Sequence, residues 1–173
     1  MRARAFYKAV TVDRSGLLDR LIADLGALRV PFCVIGGQGV NAYVEPLVSL
    51  DLDLVVAFDQ IEPVVAALST GYRVERFPHS INVTAPESDL RVQIQTDPRY
   101  AGFVERAEVR EVLGTPMPVA SLEDVLQGKV WAVQDPLRRP SKRQKDFADI
   151  ARVLEAFPDL RERVPQDVLN RLV

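Results

Sequence analysis

The stretch from Val34 to Val55 constrains this chain most. An apolar run, Phe32-Cys33-Val34-Ile35, reads directly into Gly36-Gly37. A short segment follows, and then Ser49-Leu50-Asp51-Leu52-Asp53-Leu54-Val55. A strand, a tight turn into a helix and a second strand account for this order. A glycine pair after a strand either marks that turn or brings backbone N–H groups close to phosphates. On a strand, residues i and i+2 share a face, so Asp51 and Asp53 project together while Leu52 and Leu54 point into the core. Two carboxylates so placed are either solvated acids on an exposed face or ligands that converge on one divalent ion.

The neighbouring segments extend the pattern. Leu17, Leu18, Leu21, Ile22, Leu25 and Leu28 fall on one face of a helix spanning 15–28, with Ser15 as its N-cap. Residues 31–35 read as a buried strand, 38–43 as a short helix and 51–57 as the next strand. A helix over 61–68 closes near Gly71. Strands at 72–77, 80–84 and 90–96 follow, separated by Pro78 and by Pro86-Glu87-Ser88-Asp89. A further short strand spans 109–113. In the strand 90–96, Arg91, Gln93 and Gln95 share a face that looks to the same open side as Asp51 and Asp53. Asp89 and Asp97 have the right parity but lie at the strand ends. A phosphoryl-transfer site of this kind often takes a third carboxylate here; this chain offers Gln93, whose amide can bond but cannot usefully accept a proton.

The last third changes character. Ser121-Leu122-Glu123-Asp124 resembles a capping box opening a helix to about Val133. Lys129 falls inside its apolar stripe, where a lysine either snorkels to solvent or reaches a phosphate. Asp135 to Ser141 reads as a linker rich in Pro and Arg. A helix over 142–156 follows, and a last short one starts near Gln166. Asp146 and Asp149 are i, i+3 neighbours; by spacing they pair with Lys142 and Lys145. Arg138, Arg139, Lys142, Arg143 and Lys145 make either a solvated face or a local phosphate-binding patch.

Composition removes several classes. The 173 residues suit one domain, read here as a sheet-and-helix core over 1–118 with a helical portion over 119–173. A net charge of −2 excludes a globally basic nucleic-acid binder. The single cysteine, Cys33, excludes an internal disulfide and sits in an apolar run as a buried thiol. The single histidine, His79, lies in a turn, which argues against a histidine-dependent triad or zinc hydrolase. The N-terminus lacks a signal-peptide pattern and nothing approaches the roughly 20 apolar residues of a membrane span, so a cytoplasmic protein without a membrane partner is expected.

Taken in order, Val34-Ile35-Gly36-Gly37, Asp51-Leu52-Asp53-Leu54, Lys129 and Lys145-Asp146-Phe147-Ala148-Asp149-Ile150 resemble the minimal nucleotidyltransferase superfamily, the polymerase-beta-like fold. The closer likeness is to bacterial toxins of the abortive-infection (AbiE) type. It spans residues from about 30 to 156. The resemblance implies an α+β fold with a mixed sheet flanked by helices and a small helical C-terminal portion. It implies that Gly36 and Gly37 contact a triphosphate and that Asp51 and Asp53 bind Mg²⁺ or Mn²⁺. It further implies that Lys129 meets phosphate and that Lys145, Asp146 and Asp149 belong to the nucleotide site. The implied reaction moves a nucleoside monophosphate from NTP to an acceptor hydroxyl on RNA, protein or a small molecule. An antitoxin protein is an implied partner. Two departures stand out: the spacer between Gly37 and Asp51 is long, and Gln93 replaces a carboxylate. The second opens an alternative, a catalytically degenerate nucleotide-binding or protein-interaction module. A third reading is an RNA-binding adaptor that uses the patch from Arg138 to Lys145.

Overall fold

The computed structural model describes residues 16–172, so the expected cap at Ser15 lies outside the described residues. The first described helix, α1, runs Leu17–Ala27 and buries Leu17, Leu18, Leu21 and Leu25, four of the residues on the apolar face read from the sequence. Then come β1 (Phe32–Ile35), α2 (Gly36–Asn41), β2 (Asp51–Val56), α3 (Ile61–Leu68), β3 (Arg73–Phe77), β4 (Ser80–Thr84) and β5 (Arg91–Gln95). A 3-10 segment (Pro98–Arg106) leads into β6 (Glu108–Val112) and β7 (Thr115–Val119). Then follow α4 (Leu122–Gln134), α5 (Pro140–Ala156), another 3-10 segment (Pro158–Arg163) and α6 (Gln166–Leu169).

The strands form one mixed sheet in the order β3-β4-β5-β2-β1-β7-β6. Two neighbouring pairs are parallel, β2 with β5 and β1 with β7. Strand alternation sorts the side chains onto two faces. Val34, Leu52, Leu54, Val56, Val92 and Ile94 join the leucines of α1 and the valines of α3 in one core. Cys33, Ile35 and Val55 face the other way, into a second core with Val125, Val130, Ile150 and Val153 of α4 and α5. Asp51 and Asp53 have the parity of Val55, so they lie on the α4–α5 side, at the end of β2 that those helices leave open. The expected pairing of polar faces holds: Asp51 sits in register with Arg91 and Asp53 with Gln93.

Two helix starts beside the clefts differ from expectation. The helix after β1 begins at the glycines themselves, because Gly36 takes φ +65° and lets the backbone turn straight out of the strand. Helix α5 starts at Pro140, two residues inside the expected linker, with proline near its first turn where no amide bond is lost. The strand β7 and the 3-10 segment before β6 were not foreseen. Among the described residues no helix is long and apolar enough to cross a membrane.

Candidate active site

The candidate site starts from a close approach. Ile35 is in register with Asp53, so the residue that follows, Gly36, lies against the Asp53 side chain. A Cβ at Gly36 would stand 2.1 Å from Asp53 Oδ2. Only glycine satisfies both this space and the positive φ. Gly37 is less confined, with Ser49 Oγ 3.8 Å from where its Cβ would be.

The long spacer before β2 is an ordered loop. Asn41 donates from Nδ2 to Leu47 O at 2.7 Å and accepts from Leu47 N at 3.0 Å. Gln38 Nε2 donates to Ser49 O at 3.0 Å. Arg152 of α5 reaches Asn41 Oδ1 and Glu45 O. The loop is therefore tied to α2 on one side and to α5 on the other.

Two adjoining clefts open on either side of the aspartates. One is walled by Gly36, Gln93, Gln95 and Tyr100, the other by Gly37, Ser49, Lys145 and Arg152. Asp51, Asp53, Lys129, Arg138, Lys142 and Asp146 belong to both. Thus all the residues singled out from the sequence, Gly36, Gly37, Asp51, Asp53, Lys129, Lys145, Asp146 and Asp149, line one or other cleft.

The two aspartates differ electrically. Burial works to raise the Asp51 carboxyl, but the hydrogen bond and charge of Lys142, with Arg91 and Lys145, outweigh it and hold it below its ordinary value. Lys142 Nζ lies 2.6 Å from Asp51 Oδ2, and Arg91 Nε 2.8 Å from Oδ1. The Asp53 side chain makes no hydrogen bond or ion pair among the described residues. Burial pushes its carboxyl up, the charge of Lys129 works against that, Asp51 adds to it, and the net direction is upward.

Lys129 neither snorkels nor stands free. Its ammonium is buried and bridges Asp146 Oδ1 at 2.8 Å and Asp149 Oδ2 at 2.7 Å. Burial opposes the charge, but the two carboxylates prevail and its pKa is raised. Arg138 takes the other oxygen of Asp146, and Arg152 the other oxygen of Asp149, each at 2.8 Å. The pairs expected from helical spacing, Asp146 with Lys142 and Asp149 with Lys145, are replaced by longer-range pairs with Lys129 and Arg138 and by the i,i+3 pair of Arg152 with Asp149. The reason is burial: Asp146 and Asp149 face the protein, where an uncompensated charge costs several kcal/mol, so the buried Lys129 claims them. Cys33 is fully buried, and burial pushes its thiol up to about 12, in keeping with a structural role. His79 sits exposed in the β3–β4 turn, away from both clefts.

Sequence reasoning did not assign Arg91, Lys142 or Arg152 to the site. Lys142 carried a signal, since it belongs to the basic cluster read either as a solvated face or as a local phosphate-binding patch. For Arg91 the signal was its place, with Gln93 and Gln95, on the strand face read as looking to the same side as Asp51 and Asp53.

Two aspartates able to share an ion suit Mg²⁺, which binds through one or two carboxylates plus phosphate oxygens. Among the described residues no group of three or more His, Cys, Asp or Glu side chains could hold a metal by itself. The donor set fits an ion that arrives with a phosphate substrate rather than one caged by protein.

Residues 44–172 match the family model described as nucleotidyl transferase AbiEii toxin, type IV TA system. No curated protein matches the sequence. Solved structures with a similar fold include the antibiotic-resistance factor ANT(2'')-Ia, at TM-score 0.57 and 15% identity over 86% of this chain and 91% of that one. The lincosamide antibiotic adenylyltransferase LnuA, solved with lincomycin, aligns at TM-score 0.55 and 15% identity over 83% and 99%. An antigenic nucleotidyltransferase-like protein from Paracoccidioides brasiliensis aligns at TM-score 0.55 and 16% identity over 92% and 87%. At these identities the likeness is one of fold.

Proposed function

This chain belongs to the AbiEii nucleotidyltransferase toxin family, and on that premise we propose that it transfers a nucleoside monophosphate from an NTP to an acceptor hydroxyl, with Mg²⁺ or Mn²⁺ held by Asp51 and Asp53. One observation carries this reading. Two carboxylates from a single strand face a cleft ringed by Lys129, Arg138, Lys142 and Lys145, and one of the two, Asp53, has no cation partner among the described residues. That is an arrangement of charge suited to a metal and a polyphosphate together.

The ion, when bound, supplies Lewis-acid charge to the phosphates. The chain's own residues do the rest. Gly36 and Gly37, without side chains at the mouth of β1, leave the α2 backbone open to the triphosphate. Lys145, exposed on α5, meets the phosphates as a point charge. Lys129, fixed by Asp146 and Asp149, adds positive charge at the cleft floor. The acceptor hydroxyl gives up its proton to solvent water, and its oxygen bonds to the α-phosphorus as the bond to the β-phosphate breaks and pyrophosphate leaves. Gln93 orients the acceptor by hydrogen bonding and takes no proton. In this reading the helical portion 119–173 closes the site over the core 1–118. RNA, a protein or a small molecule is the acceptor, an antitoxin protein is the partner, and the reaction takes place in bacterial cytoplasm.

Calorimetric titration of each of the four NTPs with Mg²⁺ tests the reading. Binding should be present in the wild type and lost in Asp51→Asn and Asp53→Asn. Undiminished binding in both variants would remove the assignment. A second reading, nucleotide binding without turnover, is favoured by Gln93 standing in register opposite Asp53. It expects NTP binding with no pyrophosphate release, and release gained on Gln93→Asp.

A further inference from the structure

Five carboxylates line the two clefts: Asp51, Asp53, Asp124, Asp146 and Asp149. Four of them have both oxygens taken by protein cations. Arg106 grips Asp124 through Nε at 2.8 Å and Nη2 at 2.9 Å. Lys129 and Arg138 divide Asp146, and Lys129 and Arg152 divide Asp149. Lys142 and Arg91 divide Asp51. Asp53 is left. The residue in register with it, Gln93, carries no charge, and Gln95 has its Oε1 committed to the backbone N–H groups of Thr96 and Asp97.

Among the described residues a second divalent ion therefore has no unclaimed cleft carboxylate to sit on. The place beside Asp51 already holds positive charge, in the Lys142 ammonium and the Arg91 guanidinium. We propose that this centre takes a single divalent ion, seated on Asp53 and sharing Asp51 with Lys142, and that Lys142 and Arg91 provide by side-chain charge what a second ion would provide. The inference rests on the metal–nucleotide reading above and deepens it. Lys142 is then a positioning residue with two opposed effects. It competes with the ion for Asp51 while the cleft holds no phosphate, and it attracts the phosphates once they arrive. Its place at the start of α5, with its side chain about one-third exposed, gives it room to swing between the two.

The experiment is equilibrium dialysis of the full chain against Mn²⁺, alone and with inorganic triphosphate, which presents the phosphates without a base. Bound metal is counted per chain. The wild type should hold one Mn²⁺ with triphosphate and Asp53→Asn none. Two Mn²⁺ per wild-type chain would overturn the single-ion inference while leaving the metal reading standing. No bound Mn²⁺ in the wild type would overturn both. Lys142→Gln separates the positioning role from a structural one: it should tighten Mn²⁺ alone and weaken triphosphate in the presence of Mn²⁺, each by about three- to tenfold. Changes of the same sign in both titrations, or no change in either, would overturn the role given to Lys142.

Discussion

Asp51 and Asp53 stand two positions apart on one strand and titrate in opposite senses. The raised carboxyl of Asp53 holds its proton in the folded chain where the unfolded chain has shed it. Its ionised form therefore costs stability at neutral pH, and the cost is relieved as pH falls through the raised value. The depressed carboxyl of Asp51 does the reverse: its stabilisation is present above the unfolded value and is lost as pH falls through the lower folded value. In metal-free protein at neutral pH, Asp53→Asn should raise the Tm and Asp51→Asn should lower it, with about 2–4 °C for each kcal/mol in a chain of this size. Thermal melts of the two variants check the signs, and the gain from Asp53→Asn should shrink as the pH is lowered. Gly36 gives a second residue-level expectation. Alanine there meets Asp53 Oδ2 and must also adopt φ +65°, which alone costs roughly 1–2 kcal/mol. Gly36→Ala should lower the urea midpoint clearly, whereas Gly37→Ala, with only ordinary contact to Ser49, should leave it almost unchanged.

At the scale of elements, the periodic segments were legible and the irregular ones were not. The alternation Asp51-Leu52-Asp53-Leu54 fixed both the strand and its buried face, and Ser121 caps α4 as read, with its Oγ accepting from Asp124 N at 3.2 Å. The strand β7 escaped because Pro116 and Pro118 look like breakers. Ala120 N donates to Val34 O, and strand alternation turns the missing amides of both prolines to that same side. There β7 meets β1 only at Val119 with Val34, so no ladder bond is lost, and the β6 side keeps its full register. The α4–α5 pair shows why spacing misled on the ion pairs. Helical geometry offers Lys142 to Asp146, but α4 delivers Lys129 into the same buried space, 17 positions away in sequence. Lys129→Ala leaves Asp146 and Asp149 buried with one arginine each and should cost roughly 3–5 kcal/mol. Chemical denaturation measures it; a loss under 1 kcal/mol, within the range of exposed pairs, would show that solvent reaches these carboxylates.

In the whole molecule, one sheet separates two cores, and the site lies where the second core runs out. The helices α4 and α5 cover Cys33, Ile35 and Val55, then give way to polar side chains over Asp51 and Asp53. The second core and the cleft floor are thus one packing unit. Ile150, fully buried between them, should cost about 2–5 kcal/mol when cut to alanine. Cys33 reports on this unit: its thiol should resist an aromatic disulfide reagent in the wild type and react faster in Ile150→Ala. Equal labelling rates would show that Cys33 and Ile150 are not energetically coupled within the second core.

By itself the sequence determined what depends on local period and residue type: the strand carrying two aspartates on one face, the glycine turn before it, the capped helix bearing Lys129, and the likeness to nucleotidyltransferases. Those features are legible because each is set within a few residues by backbone geometry. Only the tertiary structure decided which cation meets which carboxylate. The partners of Asp51 come from β5 and α5; Asp146 and Asp149 share Lys129 of α4, Asp146 adds Arg138 from before α5, and only Arg152 on Asp149 lies within a helical turn. Electrostatic pairing in a buried space follows proximity and desolvation, which a one-dimensional spacing does not contain. The same packing left the Asp53 side chain without a cation partner among the described residues, and the proposed metal site rests on that.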